Sequence, residues 1–316
     1  MIPFTLFALC ALAQAGDDKG EKQAPPPATM AIPPSPVVPP EEALKTFKVA
    51  AGFRLELVAA EPLVHEPVAM SFDADGRLWV AEMRGYMPDI DGKGEEQPVG
   101  DVVVLEDTDG DGKFDKRTVF LDRLVLPRAI ACVGDGVLIA EPPSVWFCRS
   151  TTGGLKCDQK ILVTSTYCSR TAVETTGNGL MPAMDNWIYN ANSTMRFRYE
   201  GGRFTTGTTR SRGQWGITQD DLGRLFYNSS SDFLRGDLVP CYAAPAHASK
   251  GPGLAVQVVK DQSTWSARVN PGVNRGYQKG ELREDGRLAA CTAACGPVIY
   301  RGDNFPAEFE GNAFIC

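Results

Sequence analysis

Histidine is nearly missing from this chain: His65 and His247 are the two copies in 316 residues. No CxxC pair occurs, so a zinc site lacks its usual paired thiolates, and the absence of CxxCH excludes covalent haem attachment of the c type. No basic block is present. Lys and Arg number 32 against 39 Asp and Glu, a formal charge of −7, so nucleic acid is not an expected partner. No long amphipathic helical pattern appears. The apolar run from Phe4 to Ala13 is too short to cross a bilayer, which takes about 20 residues. Membrane association is therefore expected only through C-terminal parts missing from this chain or through partners.

Turn-forming residues, in contrast, are abundant. The chain has 32 Gly and 23 Pro, and turns should be frequent. The first 15 residues, "MIPFTLFALCALAQA", read as a secretory signal with a small-x-small site at Ala13-Gln14-Ala15. The start carries no Lys or Arg, and Leu9 before Cys10 argues against a lipoprotein site. Export to a periplasmic or extracellular space is expected. Residues 16–40 turn Pro-rich, "APPPATMAIPPSPVVPP", and read as an extended tether. The folded domain should cover residues 41–316, opening with a helical turn at "EEALKTF".

Within that domain one pattern recurs. An apolar strand meets a tight Asp, Asn or Gly turn, and a second apolar strand follows. The copies are "PVAMSFDADGRLWVAE" (67–82), "RAIACVGDGVLIAE" (128–141), "GLMPAMDNWIYNAN" (179–192), "GQWGITQDDLGRLFYN" (213–228) and, with a longer turn, "GPVIYRGDNFPAEFEGNAFIC" (296–316). Asp-Gly and Asp-Asn turns suit hairpins, which need positive φ. Outer hairpins "VVVLEDTDGDGKFDKRTVF" and "VWFCRSTTGGLKCDQKILV" fall between inner ones. Two hairpins per unit make a four-stranded blade, and the repeat argues for an all-β propeller. A sandwich is the alternative, but it would not explain the recurring inner hairpin. Four blades and the first hairpin of a fifth can be counted, so a six-bladed ring would be incomplete in this chain. Residues 53–59, "FRLELVA", are expected as an outer strand for the last blade.

The motifs "FDADGRLWVAEMRGY", "VLEDTDGDGKFD", "LVLPRA", "NGLMPAMDNWIYNANS", "RGQWGITQDDLGRLFYN" and "TAACGPVIYRGDNFPAEFEGNAF" cover most of the domain. On them the chain resembles the membrane-bound dehydrogenase propellers of planctomycete-type bacteria. Those are in turn similar to glucose and sorbosone dehydrogenases that use pyrroloquinoline quinone. The resemblance implies an oxidoreductase acting on sugars or other alcohols, with this quinone as cofactor. It also implies a histidine base in a motif E-H-x-x-N-G. Here the stretch reads Glu174-Thr175-Thr176-Gly177-Asn178-Gly179. Thr175 stands at the base position, and its hydroxyl cannot take that proton unaided. His65, near the top of the first inner strand, is the possible substitute, with His247 in an irregular stretch.

In a propeller, residues just before each inner strand and just after its partner ring the central funnel. The first group holds Arg128, Thr175, Asn178, Arg212, Gln214 and Trp215; the second holds Glu82, Arg84, Tyr86, Glu141, Asn190, Asn192 and Asn228. Of these, Arg84, Arg128, Asn178, Gln214 and Trp215 are the candidates for binding substrate or cofactor. A guanidinium beside an apolar strand needs a carboxylate or an anionic ligand, and Glu82 and Glu141 are the protein partners within reach. A second reading gives the propeller no catalysis, only glycan or protein binding on a calcium-stabilised scaffold.

The calcium would sit in "DTDGDGKFD". Asp107, Asp109 and Asp111 take positions 1, 3 and 5 of a calcium loop. Gly112 gives the turn, the Lys113 carbonyl serves at 7, and Asp115 sits at 9. Thr118 replaces the bidentate Glu at 12, so the loop is not a full EF-hand. A solvated acidic turn is the plain alternative. In the sister loop Ser150, Thr152 and Gly154 replace the three aspartates, and Cys148 and Cys157 flank it as a candidate disulfide.

Overall fold

The computed structural model describes residues 37–47, 49–89, 91–170, 173–243, 251–263, 289–291 and 293–316. The expected signal, nearly all of the Pro-rich tether and His247 lie outside the described residues. The compact unit considered below runs Pro39–Gln262 and Cys291–Cys316.

A short helix, α1 (Pro40–Leu44), opens the domain with Pro at its first turn and two acidic residues behind it. Four antiparallel sheets follow, each a meander in chain order. The first holds β1 (Pro67–Phe72), β2 (Leu78–Glu82), β3 (Gly100–Glu106) and β4 (Lys116–Leu124). The second holds β5 (Ala129–Val133), β6 (Gly136–Glu141), β7 (Ser144–Arg149) and β8 (Gln159–Thr164). The third holds β9 (Asn178–Pro182), β10 (Ile188–Ala191), β11 (Met195–Glu200) and β12 (Arg203–Thr208). The fourth holds β13 (Ile217–Gln219), β14 (Leu225–Ser229), β15 (Asp232–Asp237) and β16 (Val256–Gln257). A two-stranded sheet, β17 (Val298–Ile299) with β18 (Ala313–Phe314), begins a fifth.

The inner strands β1, β5, β9, β13 and β17 neighbour one another in that order, and the fold is a β-propeller. In three of the inner hairpins, those of Asp73, Asp185 and Asp220, an aspartate ties the turn where the repeat places it. Asp73 accepts the amides of Asp75 and Arg77 on one oxygen, and Arg77 Nε and Trp79 Nε1 on the other. Asp220 does the same in the fourth blade, toward Leu222 and Arg224.

Burial falls between blades. Trp79, Ala81, Val102 and Val104 of the first sheet pack on Ile130, Val137 and Ile139 of the second. Ala129, Leu138 and Phe147 meet Leu180, Ile188 and Phe197 of the third, whose other face meets Ile217, Leu225 and Tyr227 of the fourth. Alternation along each strand thus feeds two interblade cores. Near the axis the blades approach very closely. Gly179 has φ +65°, and a Cβ there would lie 2.9 Å from Gly216 Cα. Gly216 has φ +82°, and its Cβ would lie 3.0 Å from Pro297 Cδ. Only glycine fits both the dihedral and the gap.

Residues 53–59 differ from expectation. They form no ladder; the backbone link is Phe114 N–H to the Val58 carbonyl. Without a partner strand to take alternate amides and carbonyls, the apolar alternation alone does not make a strand. The Phe53 ring instead meets the edges of Phe305 and Phe309, which lie between β17 and β18. Among the described residues no helix is long and apolar enough to cross a membrane.

Candidate functional site

The loops that lead into the inner strands gather the candidate residues, and two groups form. The first centres on Arg128. Its backbone amide bonds the Ala140 carbonyl at 3.0 Å, which fixes it at the entry to β5. Its side chain is 2% exposed. One terminal nitrogen donates to the Val173 carbonyl, in the loop that carries Thr175, and Nε has no partner. Among the described residues no carboxylate lies within ion-pair distance of it. Burial pushes its pKa down to about 10, partly countered by Tyr167, Cys168, Tyr86 and Glu95. Tyr167 is 5% exposed, its hydroxyl is unpartnered, and burial pushes its phenol well up. Tyr86 is also raised, first by burial and then by the charges of Glu174 and Glu95. Tyr167 Oη and Cys168 Sγ both lie against Gly177. The result is a protonated, donor-rich corner with one unneutralised cation.

The second group is a brace. Asn178 donates to the carbonyls of Thr176 (3.0 Å) and Gln214 (2.7 Å) and accepts from Gly216 N–H (2.9 Å). Gln214 Oε1 accepts from the amide and hydroxyl of Ser230. The Trp215 carbonyl accepts the Gly296 amide at 3.0 Å. These residues come together, as the sequence suggested, but the polar atoms of Asn178 serve the scaffold.

Arg84 stands apart. It is exposed and gives Nε to the Val99 carbonyl (2.9 Å) and a terminal nitrogen to Asp101 (2.6 Å). The partners expected for the two arginines are engaged elsewhere. Glu82 pairs with Arg117 and accepts the His65 amide, and Glu141 takes Val125 N–H and the Trp146 indole. Thr175 is half-buried. His65 is half-buried at the entry to β1. Behind the brace, Asp237 is 1% exposed and holds both Arg210 and Arg212, which keeps its carboxyl lowered against a large burial penalty.

The acidic loop lies at the far end of blade 1, between β3 and β4. Carboxylate oxygens of Asp107, Asp109 and Asp115 come within 4.8 Å of one another, all exposed. Asp111 is not among them; one of its carboxylate oxygens accepts the Lys113 amide at 2.8 Å. The Lys113 amide is engaged by that bond, and its carbonyl is not. Asp107 accepts Gly112 and Gly110 amides, which hold its pKa down. In the sister loop the expected Cys148–Cys157 disulfide is not formed. Both are free thiols, with side chains near enough to hydrogen bond. Burial and its neighbour push the Cys148 thiol well up.

Tyr167 and Cys168 were not singled out from sequence. They sit 39 and 40 residues beyond Arg128 in "STYCSR", a stretch with no repeat signal.

Several solved structures are similar to part of this chain. The holo PQQ domain of a pyranose dehydrogenase from Coprinopsis cinerea is 14% identical, with TM-score 0.40, over 57% of this chain and 47% of that one. Virginiamycin B lyase from Staphylococcus aureus is 10% identical, with TM-score 0.35, over 57% of this chain and 54% of that one. A catalytically inactive form of that lyase with Quinupristin is similar at 10% identity and TM-score 0.35, over 58% and 56%. The chain spans about half the length of these structures. No curated protein matches the sequence. A family model does match, over residues 39–316, and the chain belongs to that family, described as a domain of unknown function, DUF7133.

Proposed function

We propose that this chain is an exported, oxidoreductase-like propeller that holds an anionic quinone of the pyrroloquinoline type against Arg128 and oxidises a sugar or another alcohol. Arg128 carries the reading. A buried guanidinium with an orphaned Nε and no carboxylate is strongly unfavourable unless an anion meets it. The quinone's carboxylates fit that demand. Tyr167 and Tyr86, kept protonated by burial, supply donors beside it. When bound, the quinone would supply the hydride acceptor. The chain's part is to orient the ligand and to exclude water from the Arg128 corner. Thr175 does not supply a base, so proton removal is the weak step of this site. A calcium ion on Asp107, Asp109 and Asp115 would act as scaffold only, because hard oxygens at that spacing suit it and the loop lies away from Arg128.

The test is equilibrium binding of pyrroloquinoline quinone to the full chain, followed by dye reduction with alcohols. Arg128→Gln should weaken binding by about 10- to 100-fold, the loss of one charge-assisted bond. Arg84→Gln, exposed and already paired, should leave it unchanged. Absence of quinone binding by the wild type would overturn the reading. Thr175→His should raise turnover in quinone-loaded protein.

A second reading rests on Thr175 and on the committed atoms of Asn178: a non-catalytic propeller for glycans or partner proteins. Quinone binding without any dye reduction, even in Thr175→His, favours it.

A further inference from the structure

Outside the Arg128 corner, the described residues hold a second concentration of unused chemistry where the fifth sheet begins. Cys295 and Cys316 face each other across an antiparallel pair. Each backbone amide bonds the other's carbonyl, at 2.8 and 3.0 Å. Directly opposed residues project to the same side of a ladder, with Cα atoms about 5.5 Å apart, inside the about 4.4–6.8 Å that a disulfide spans. Both are free thiols; Cys316 is exposed, Cys295 half-buried, and buried Cys291 is near enough to perturb Cys295. This cluster is wired to the brace. Cys291 Sγ and the Ala294 amide both bond the Ser230 carbonyl, at 3.3 and 3.2 Å. Ser230 in turn holds Gln214, and Gly296, next to Cys295, bonds Trp215.

We propose that Cys295 and Cys316 are a redox modification site, closed to a disulfide by small-molecule disulfides, and that closure stiffens the loop bearing Gln214 and Trp215. The exposed Cys316 thiolate attacks a disulfide RSSR, forms Cys316–S–SR and releases RS⁻. The Cys295 thiolate then attacks the Cys316 sulfur and expels the second RS⁻. Two electrons pass to RSSR, and the two cysteine protons end on two RSH. Cys316 is exposed, and exposed disulfides are among the more readily reduced ones.

The experiment treats the reduced full chain with glutathione disulfide at neutral pH, then quenches with an alkylating agent and maps peptides by mass. A Cys295–Cys316 cross-link is expected, retained in Cys291→Ser and removed within minutes by millimolar thiol. Hydrogen exchange should slow at least tenfold across residues 213–216 in the oxidised form and not in Cys316→Ser. A Cys291–Cys295 bridge, a lasting glutathione adduct on Cys316, or three alkylated thiols would overturn the site. An unchanged exchange rate in cross-linked protein would overturn its coupling to the brace.

Discussion

In the loop between β3 and β4, Thr108 gives its amide and hydroxyl to Asp115, the hydroxyl at 2.8–2.9 Å. In the loop between β7 and β8, Thr151 gives both to Asp158, at 2.9 Å. Gly110 and Gly153 turn at nearly the same φ, +78° and +77°. Asp115 and Asp158 each return an amide to the end of the preceding strand, Glu106 and Arg149. One skeleton therefore serves both blades. The difference lies in what surrounds it. The blade 1 loop adds Asp107 and Asp109, while blade 2 has a neutral Ser150–Thr152 contact at 3.1 Å and a thiol pair behind. The Thr–Asp clamp is common to both turns; in blade 1 Asp107 adds bonds to the Gly110 and Gly112 amides, and Asp109 adds charge beside it. The extra acidity of that loop therefore serves its turn as well as any ligand.

The largest test strikes what the two hairpins share. Phe120 is 3% exposed, packs edge-on to Trp79 at 4.7 Å, and its carbonyl accepts the Cys157 amide. Phe120→Ala should lower stability by about 3–5 kcal/mol, read as a urea midpoint shift at constant m-value. A loss under 1 kcal/mol would mean that the loops are held independently. Oxidation comes next. A Cys148–Cys157 bridge should add about 2–3 kcal/mol by loop entropy, absent in Cys157→Ser. Free thiols at both positions in protein held under oxidising conditions would remove this difference between the loops. Calcium should act on blade 1 alone. It should raise the melting temperature of wild type and of Cys157→Ser, but not of Asp107→Asn, and a chelator should reverse it; no chelator response would leave the acidic loop a solvated turn. The smallest effect is acid sensitivity, and here the loops should agree. Backbone amides lower Asp107 (from Gly112) and Asp158 (from Thr151). A depressed folded pKa contributes stability above the unfolded value that is lost as pH falls through the folded one. Amide exchange in both loops should therefore quicken only below about pH 4, and loosening of one loop alone would separate them.

Much of this was legible beforehand. The Asp turns and alternating strands announced the blades, because Asp73 and Asp220 act within six residues of their partners. Arg128 was legible as a cation beside an apolar strand. Arg84 looked alike, and only the pairing of β2 with β3 brings Asp101 to it. Asp111 fitted a ligand spacing, yet its carboxylate lies outside the cluster of Asp107, Asp109 and Asp115. Tyr167 and Cys168 needed the third blade in place before their nearness to Arg128 could show. Local chemistry was readable; competition for a side chain among distant partners was not.

The stacked glycines near the axis carry one more consequence. A sheet spaced at about 4.8 Å per strand puts its fourth strand roughly 14 Å from its first. Each blade is thus a lever pivoting at Gly179, Gly216 and Pro297. A single methyl at Gly216 would act as a wedge at the hub. The parting it forces between blades 3, 4 and 5 would be multiplied toward the rim, where β12 and β16 lie. The separation of blades 3, 4 and 5 at the rim is thus set by hydrogen atoms at the hub, where Gly179 and Gly216 carry them in place of side chains.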